Sequence, residues 1–269
     1  MKNYLHIFVL ATLASAVISC GGKKETTTEK VTTANVKEVV KREFDYPIPT
    51  SYEVTTLLQD ADAAFVLDIT NPVENVDKYE TQRAKALNLG IYGADLSYAS
   101  TYNMNEETLA LIKVTKTLVD GLDVPGVFNE SMVNRIESNI DNQDSLILII
   151  TESFYNTYEQ LNKTGQEKLS FLVVSASWIE GLYITTQLAV SSNYDPRLMS
   201  IIAKQKTGAN VLAEAAAKYV EDEDIKAIAP LLNYMKLTYD GVEPEVGITK
   251  GQLDDIMKNV ESTRNEITG

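Results

Sequence analysis

Glu180 is the only charged side chain between Leu169 and Val190. A carboxylate in so apolar a run must be paired or carry a raised pKa, and both conditions are common where proteins do acid–base chemistry. Gln187 follows seven residues on along the same stripe, and Ser177 and Gly181 leave room for a close neighbour. A second group lies between Ile91 and Tyr102. At helical spacing Tyr92, Asp95 and Tyr102 share one face and Tyr98 sits near Tyr102. Tyrosines around one acid can line a cleft for a sugar or another polar ligand. Asp95 and Glu180 together would be the paired carboxylates of a glycoside hydrolase if held roughly 5 to 9.5 Å apart. Each feature also has a plainer reading. Glu180 can belong to a structural ion pair with Arg83, Arg135 or Arg197, and tyrosines on a helix commonly bury their rings while the hydroxyls reach the surface. Glu180, Gln187, Asp95, Tyr92, Tyr98 and Tyr102 are thus candidates for ligand binding, and no residue is assigned a catalytic role.

These side chains need helices to position them. Thr164 and Glu167 read as a capping box ahead of a helix over about 164–192 that is apolar on every side, so other helices must wrap it. Before it, the pattern predicts a helix from Ser51 to about Ala61, and then a short apolar run from Ala63 to Ile69 that could also be a strand. A long helix from Asp77 to about Tyr102 follows, with a bend near Gly90 and Gly93. Further helices start at Asn105, Asn129 and Asp144. After it, Asp195-Pro196 is a helix start, followed by segments from Ala209, Asp222 and Thr249, the last opened by a second capping box with Gln252. The expected class is all-α, a globular bundle of about ten helices around the central one. No self-similarity near 34 residues supports a solenoid, whose repeat helices contact neighbours on two sides only.

Composition narrows the chemistry. With 269 residues, 44% of them hydrophobic and 23% charged, the chain can build a core of its own. A formal net charge of −14 disfavours nucleic acid and acidic lipid as partners of the folded part, because phosphates would be repelled. The one cysteine is Cys20 and the one histidine is His6. Both lie in an N-terminal segment with a basic start at Lys2, an apolar stretch from Tyr4 to Val17 and a small-residue site before Cys20. Removal of that segment leaves no histidine and no free thiol. Serine triads, cysteine nucleophiles, zinc sites and disulfides are then excluded by inventory. The acidic runs Asp141 to Asp144 and Glu221 to Asp224 read as helix caps and not as metal ligands. No cofactor is expected.

Val17, Ile18, Ser19 and Cys20 resemble the lipobox of bacterial lipoproteins, with an aliphatic residue, small or aliphatic residues and then cysteine. The resemblance implies cleavage before Cys20, acylation of its sulfur and new amino terminus, and anchoring to a membrane. Residues 1–19 would be the signal peptide. Residues 20–43, rich in Lys, Glu and Thr, would be a lipidated tether, and 44–269 a single helical domain. Gly21, and not Asp, at the next position points to the outer membrane. The whole resembles helical lipoproteins of Bacteroidota-type envelopes, a resemblance that carries no activity with it. The function expected is a noncatalytic binding or assembly module in the envelope, with the membrane and an envelope protein as partners. The alternative is a solute-binding protein or an acid/base, glycosidase-like enzyme using the buried carboxylates.

Overall fold

The computed structural model describes residues 55, 57, 58, 60–124, 129–219 and 221–269. The lipobox, the tether and the Ser51 cap lie outside the described residues. Among those described, nine α-helices follow in order: α1 (Gln82–Thr101), α2 (Asn105–Gly121), α3 (Glu130–Glu137), α4 (Gln143–Lys163), α5 (Glu167–Ser191), α6 (Pro196–Lys204), α7 (Lys206–Ala216), α8 (Glu223–Thr238) and α9 (Lys250–Thr268). No strand occurs among these residues, so the all-α bundle expected from the pattern is the observed fold. Residues 61–80 are mostly irregular, with short 3-10 turns at Leu67–Ile69 and Val73–Lys78. The run from Ala63 to Ile69 is therefore not a strand but an irregular stretch that ends in a 3-10 turn.

Helix α5 is the axis of the bundle. It packs against α1, α9, α6, α4 and α8, and at 25 residues it spans about 37 Å. It has no polar face because it has no wet side: Leu172, Ala176, Ile179, Ile184 and Leu188 are all fully buried on different sides of it. Its partner along the longest contact is α1, whose residues from Ala86 to Thr101 are all buried. Close approach is what the glycines of α1 provide. A Cβ on Gly90 would stand 2.2 Å from the carbonyl oxygen of Val173, and one on Gly93 1.9 Å from the Phe154 ring of α4. These glycines serve packing within a continuous helix.

The helix ends follow local chemistry, with three corrections, the first being that α1 starts after its cap Thr81 while Asp77 lies in a 3-10 turn. Thr249 and Gln252 form the reciprocal capping box, Asp195 caps α6 with Pro196 at its first position, and Asn129 and Asp222 cap α3 and α8. Thr164, however, does not open α5. Gly165 takes φ +75, which ends α4, and the Thr164 hydroxyl donates back to the carbonyls of Gln160 and Leu161. Helix α5 starts after Gln166, without a side-chain cap. Similarly Asn142, and not Asp144, caps α4.

Candidate functional site

Two anomalous residues on opposite sides of the core find each other. Arg264 stands on the stripe of α9 otherwise formed by Leu253, Ile256, Val260 and Ile267, where an apolar residue belongs. Its Nε donates to Glu180 Oε2 at 2.6 Å, and its Nη2 donates to the carbonyl of Ile69 at 3.2 Å. Its guanidinium lies 4.3 Å from the centre of the Tyr183 ring. Glu180 is wholly buried. The arginines considered as its partners are engaged elsewhere: Arg83 with Asp224, Arg135 with Glu152, and Arg197 with Asp195 and Asp62. They sit on polar, exposed stretches, whereas Arg264 is carried into the core by its own helix.

Asp95, also wholly buried, approaches Glu180 from α1. Its Oδ2 accepts the backbone N–H of Asn71 at 3.0 Å, and its carboxyl faces that of Glu180, near enough for each to perturb the other. Burial, then the neighbouring Glu180, raises the Asp95 carboxyl well above the ordinary range. Burial also raises Glu180, against the opposing pull of Arg264. Arg264 itself stays charged, its burial outweighed by Glu180.

The tyrosines complete the picture, and all point to one segment of the chain. The Tyr92 hydroxyl donates to the carbonyl of Pro72 at 2.7 Å, and that of Tyr102 to the carbonyl of Ala63 at 2.7 Å. The Tyr98 hydroxyl accepts the Val66 N–H at 2.8 Å. Phe65 stacks on Tyr98 with ring centres 4.7 Å apart and packs tilted against Tyr102 at 5.6 Å. Asn71 in turn donates from Nδ2 to the Tyr79 hydroxyl at 3.0 Å. Residues 61–80 thus form a strap across α1, with its polar backbone groups met by side chains instead of by a helix of its own. Burial raises the phenols of Tyr92 and Tyr98, and pushes Tyr102 up to about 12, so each stays neutral near neutral pH.

No family model, characterised protein or solved structure matches the chain. The arrangement of its own residues is therefore what bears on function. Five of the six candidates, Glu180, Asp95, Tyr92, Tyr98 and Tyr102, converge on the strap or on the ion pair beneath it. Gln187, half-buried two turns along α5, takes no part in these contacts. Asn71, Tyr79 and Arg264 complete the cluster and lie outside the six sequence candidates. For Arg264 the signal existed, a charge at an apolar position of a capped helix. For Asn71, in an irregular segment, no periodicity marked it. Among the described residues no group of three or more histidine, cysteine or acidic side chains is placed to hold a metal.

A surface cleft lies elsewhere, between the turn before α6 and the loop leading into α9. It has a volume of about 430 Å³, with Tyr194, Met199, Val246, Ile248 and Lys250 in its lining. Asn193 and Tyr194 both take positive φ, 54° and 64°, which is unusual for a residue as bulky as tyrosine. The Lys250 ammonium rests 3.7 Å from the centre of the Tyr194 ring. None of the candidates read from the sequence lines this cleft.

Proposed function

We propose that the protein is a lipid-anchored envelope lipoprotein whose helical bundle is a noncatalytic binding or assembly module. The observation that carries this reading is the use already made of the best chemical groups. Asp95 and the three tyrosines are turned inward onto residues 63–72 of their own chain, and Glu180 onto Arg264, with the carboxyls at zero exposure. A substrate would have to displace the strap to meet them. The lipobox at Val17 to Cys20 supports a membrane location, and Gly21, in place of Asp, supports the outer membrane. An exposed pair on α8, Tyr234 and Leu237, offers an apolar contact for an envelope partner, being 61% and 54% exposed at a spacing of three.

The test is a comparison of the full-length protein with Cys20→Ala in cells. The wild type is expected in the membrane fraction, labelled by lipid, and cross-linked to one stoichiometric partner. Cys20→Ala is expected to lose all three, and Leu237→Asp to lose the partner alone. A wild type without lipid, or a Cys20→Ala protein still in the membrane, would overturn the anchoring. Absence of any partner from the lipidated protein would overturn the assembly role. The solute-binding alternative is favoured by one observation, the 430 Å³ cleft at Tyr194, which falls in the size range of small-molecule sites. Thermal-shift screening of Tyr194→Ala beside the wild type tests that reading, which predicts a ligand that stabilises the wild type only.

A further inference from the structure

Two buried oxygens in the cluster lack a hydrogen-bond donor among the residues around them: Asp95 Oδ1 and Glu180 Oε1. Their sister oxygens are satisfied, Asp95 Oδ2 by the Asn71 N–H and Glu180 Oε2 by Arg264 Nε. The two carboxyls that carry the orphans face each other in the core, each perturbing the other. Two ionised carboxylates cannot satisfy one another, since each is only an acceptor. A carboxylic acid and a carboxylate can. We propose that Asp95 and Glu180 hold a single proton between these two oxygens, and that this proton latches the strap of residues 61–80 onto the bundle.

The charge balance supports the assignment. With one proton, the buried set is one acid, one carboxylate and one guanidinium, and sums to zero. Without it, two carboxylates face one guanidinium in a fully buried site where the excess charge is costly. Glu180 is the member that stays ionised, because Arg264 bonds to it directly; Asp95 is the member that keeps the hydrogen on Oδ1 and donates it. The other titratable groups facing the pair leave this balance unchanged. From α1 come Tyr92 and Tyr98, from the strap Tyr79, from α5 Tyr183, and all four phenols are held neutral by burial. Glu74 acts on Tyr92, and Glu261 of α9 on Tyr183, both adding negative charge that further favours retention of the proton.

The strap is coupled to this proton through two bonds. Asp95 Oδ2 holds the Asn71 N–H, and Arg264 Nη2 holds the Ile69 carbonyl. Loss of the proton sets the two carboxylates against each other, and the strap lifting away admits the water that would solvate them. Opening therefore releases one proton, and by linkage the opening equilibrium rises about tenfold per pH unit, from the pH where an exposed aspartate ionises up to the pair's own titration. The proposal goes beyond the envelope reading and does not depend on it.

Two measurements on the full-length protein in detergent decide the matter. Infrared difference spectroscopy is expected to show one buried, protonated carboxyl at neutral pH, absent from Asp95→Asn. The second measurement is hydrogen exchange of the Asn71 amide, corrected for the intrinsic pH dependence of exchange. It is expected to quicken by about a further tenfold per pH unit in the wild type and to be flat in Asp95→Asn, whose amide can still accept from Asn71 and donate to Glu180. Equal slopes in the two proteins would overturn the latch. The wild-type spectrum stands without the variant, should that not fold: no protonated carboxyl at neutral pH would overturn the shared proton.

Discussion

Arg264 and Glu180 are each out of place alone and acceptable together. Forming a buried ion pair gains little over a well-packed apolar pair, but removal of one partner strands a charge. Arg264→Met is therefore expected to destabilise the protein by about 3–5 kcal/mol, read as a lower urea midpoint. Adding Glu180→Leu to that variant is expected to recover most of the loss. If the double variant were as unstable as the single one, the arginine would be contributing through its bond to Ile69 and its packing on Tyr183, and not through its charge. At this scale the sequence was half legible. Glu180 announced itself as the single charge in an apolar run, and its burial followed from that. Its partner did not, because a long-range contact 84 residues away leaves no local trace. Only the interruption of the α9 stripe at Arg264 hinted at it.

The pairing of α1 with α5 rests on a backbone approach that one added methyl would block. At Gly90 the obstacle is the Val173 carbonyl and the Ser177 amide, both backbone, and neither can rotate away. At Gly93 it is the edge of the Phe154 ring, a side chain that can shift. Gly90→Ala is accordingly expected to cost more than Gly93→Ala, by about 1–3 kcal/mol on the scale of overpacked cores, and thermal melts of the two variants side by side check the order. Helices of this kind were legible because burial and periodicity agree along them. Their ends were legible where one capping residue had no rival, as at Thr249 and Asp195. Thr164 was misread because the adjacent Gly165, free to take positive φ, closes the preceding helix first. The strap escaped the reading for a related reason. Its backbone is satisfied by Tyr92, Tyr98, Tyr102 and Asp95, side chains that lie tens of residues away in sequence.

For the molecule as a whole, the net charge of −14 and the buried carboxyl pull stability in the same direction with pH. Acidification reduces self-repulsion, and it also favours the folded state through Asp95. The folded state holds the Asp95 proton more tightly than the unfolded chain, where an aspartate titrates near 3.9. Its contribution is therefore complete below that value and is lost as pH rises toward the raised folded-state pKa. Denaturant titrations from pH 5 to 8 are expected to show the wild type losing more stability than Asp95→Asn. The difference between the two isolates the carboxyl from the general charge effect, and parallel curves would assign the whole slope to the latter.

The clasp also orders events in time. Tyr79 donates to the carbonyl of Thr268 and Asn88 to that of Ile267, while Arg264 reaches back to Ile69, so early and late parts of the chain close on one another. During synthesis the carboxylate of α5 waits for an arginine that emerges 84 residues later, and the strap for contacts up to 195 residues distant. A nascent chain short of α9 has nothing to neutralise the middle of its most apolar helix. The bundle therefore completes its core only after α9 has emerged from the ribosome, and the earlier helices wait until then for their native partners.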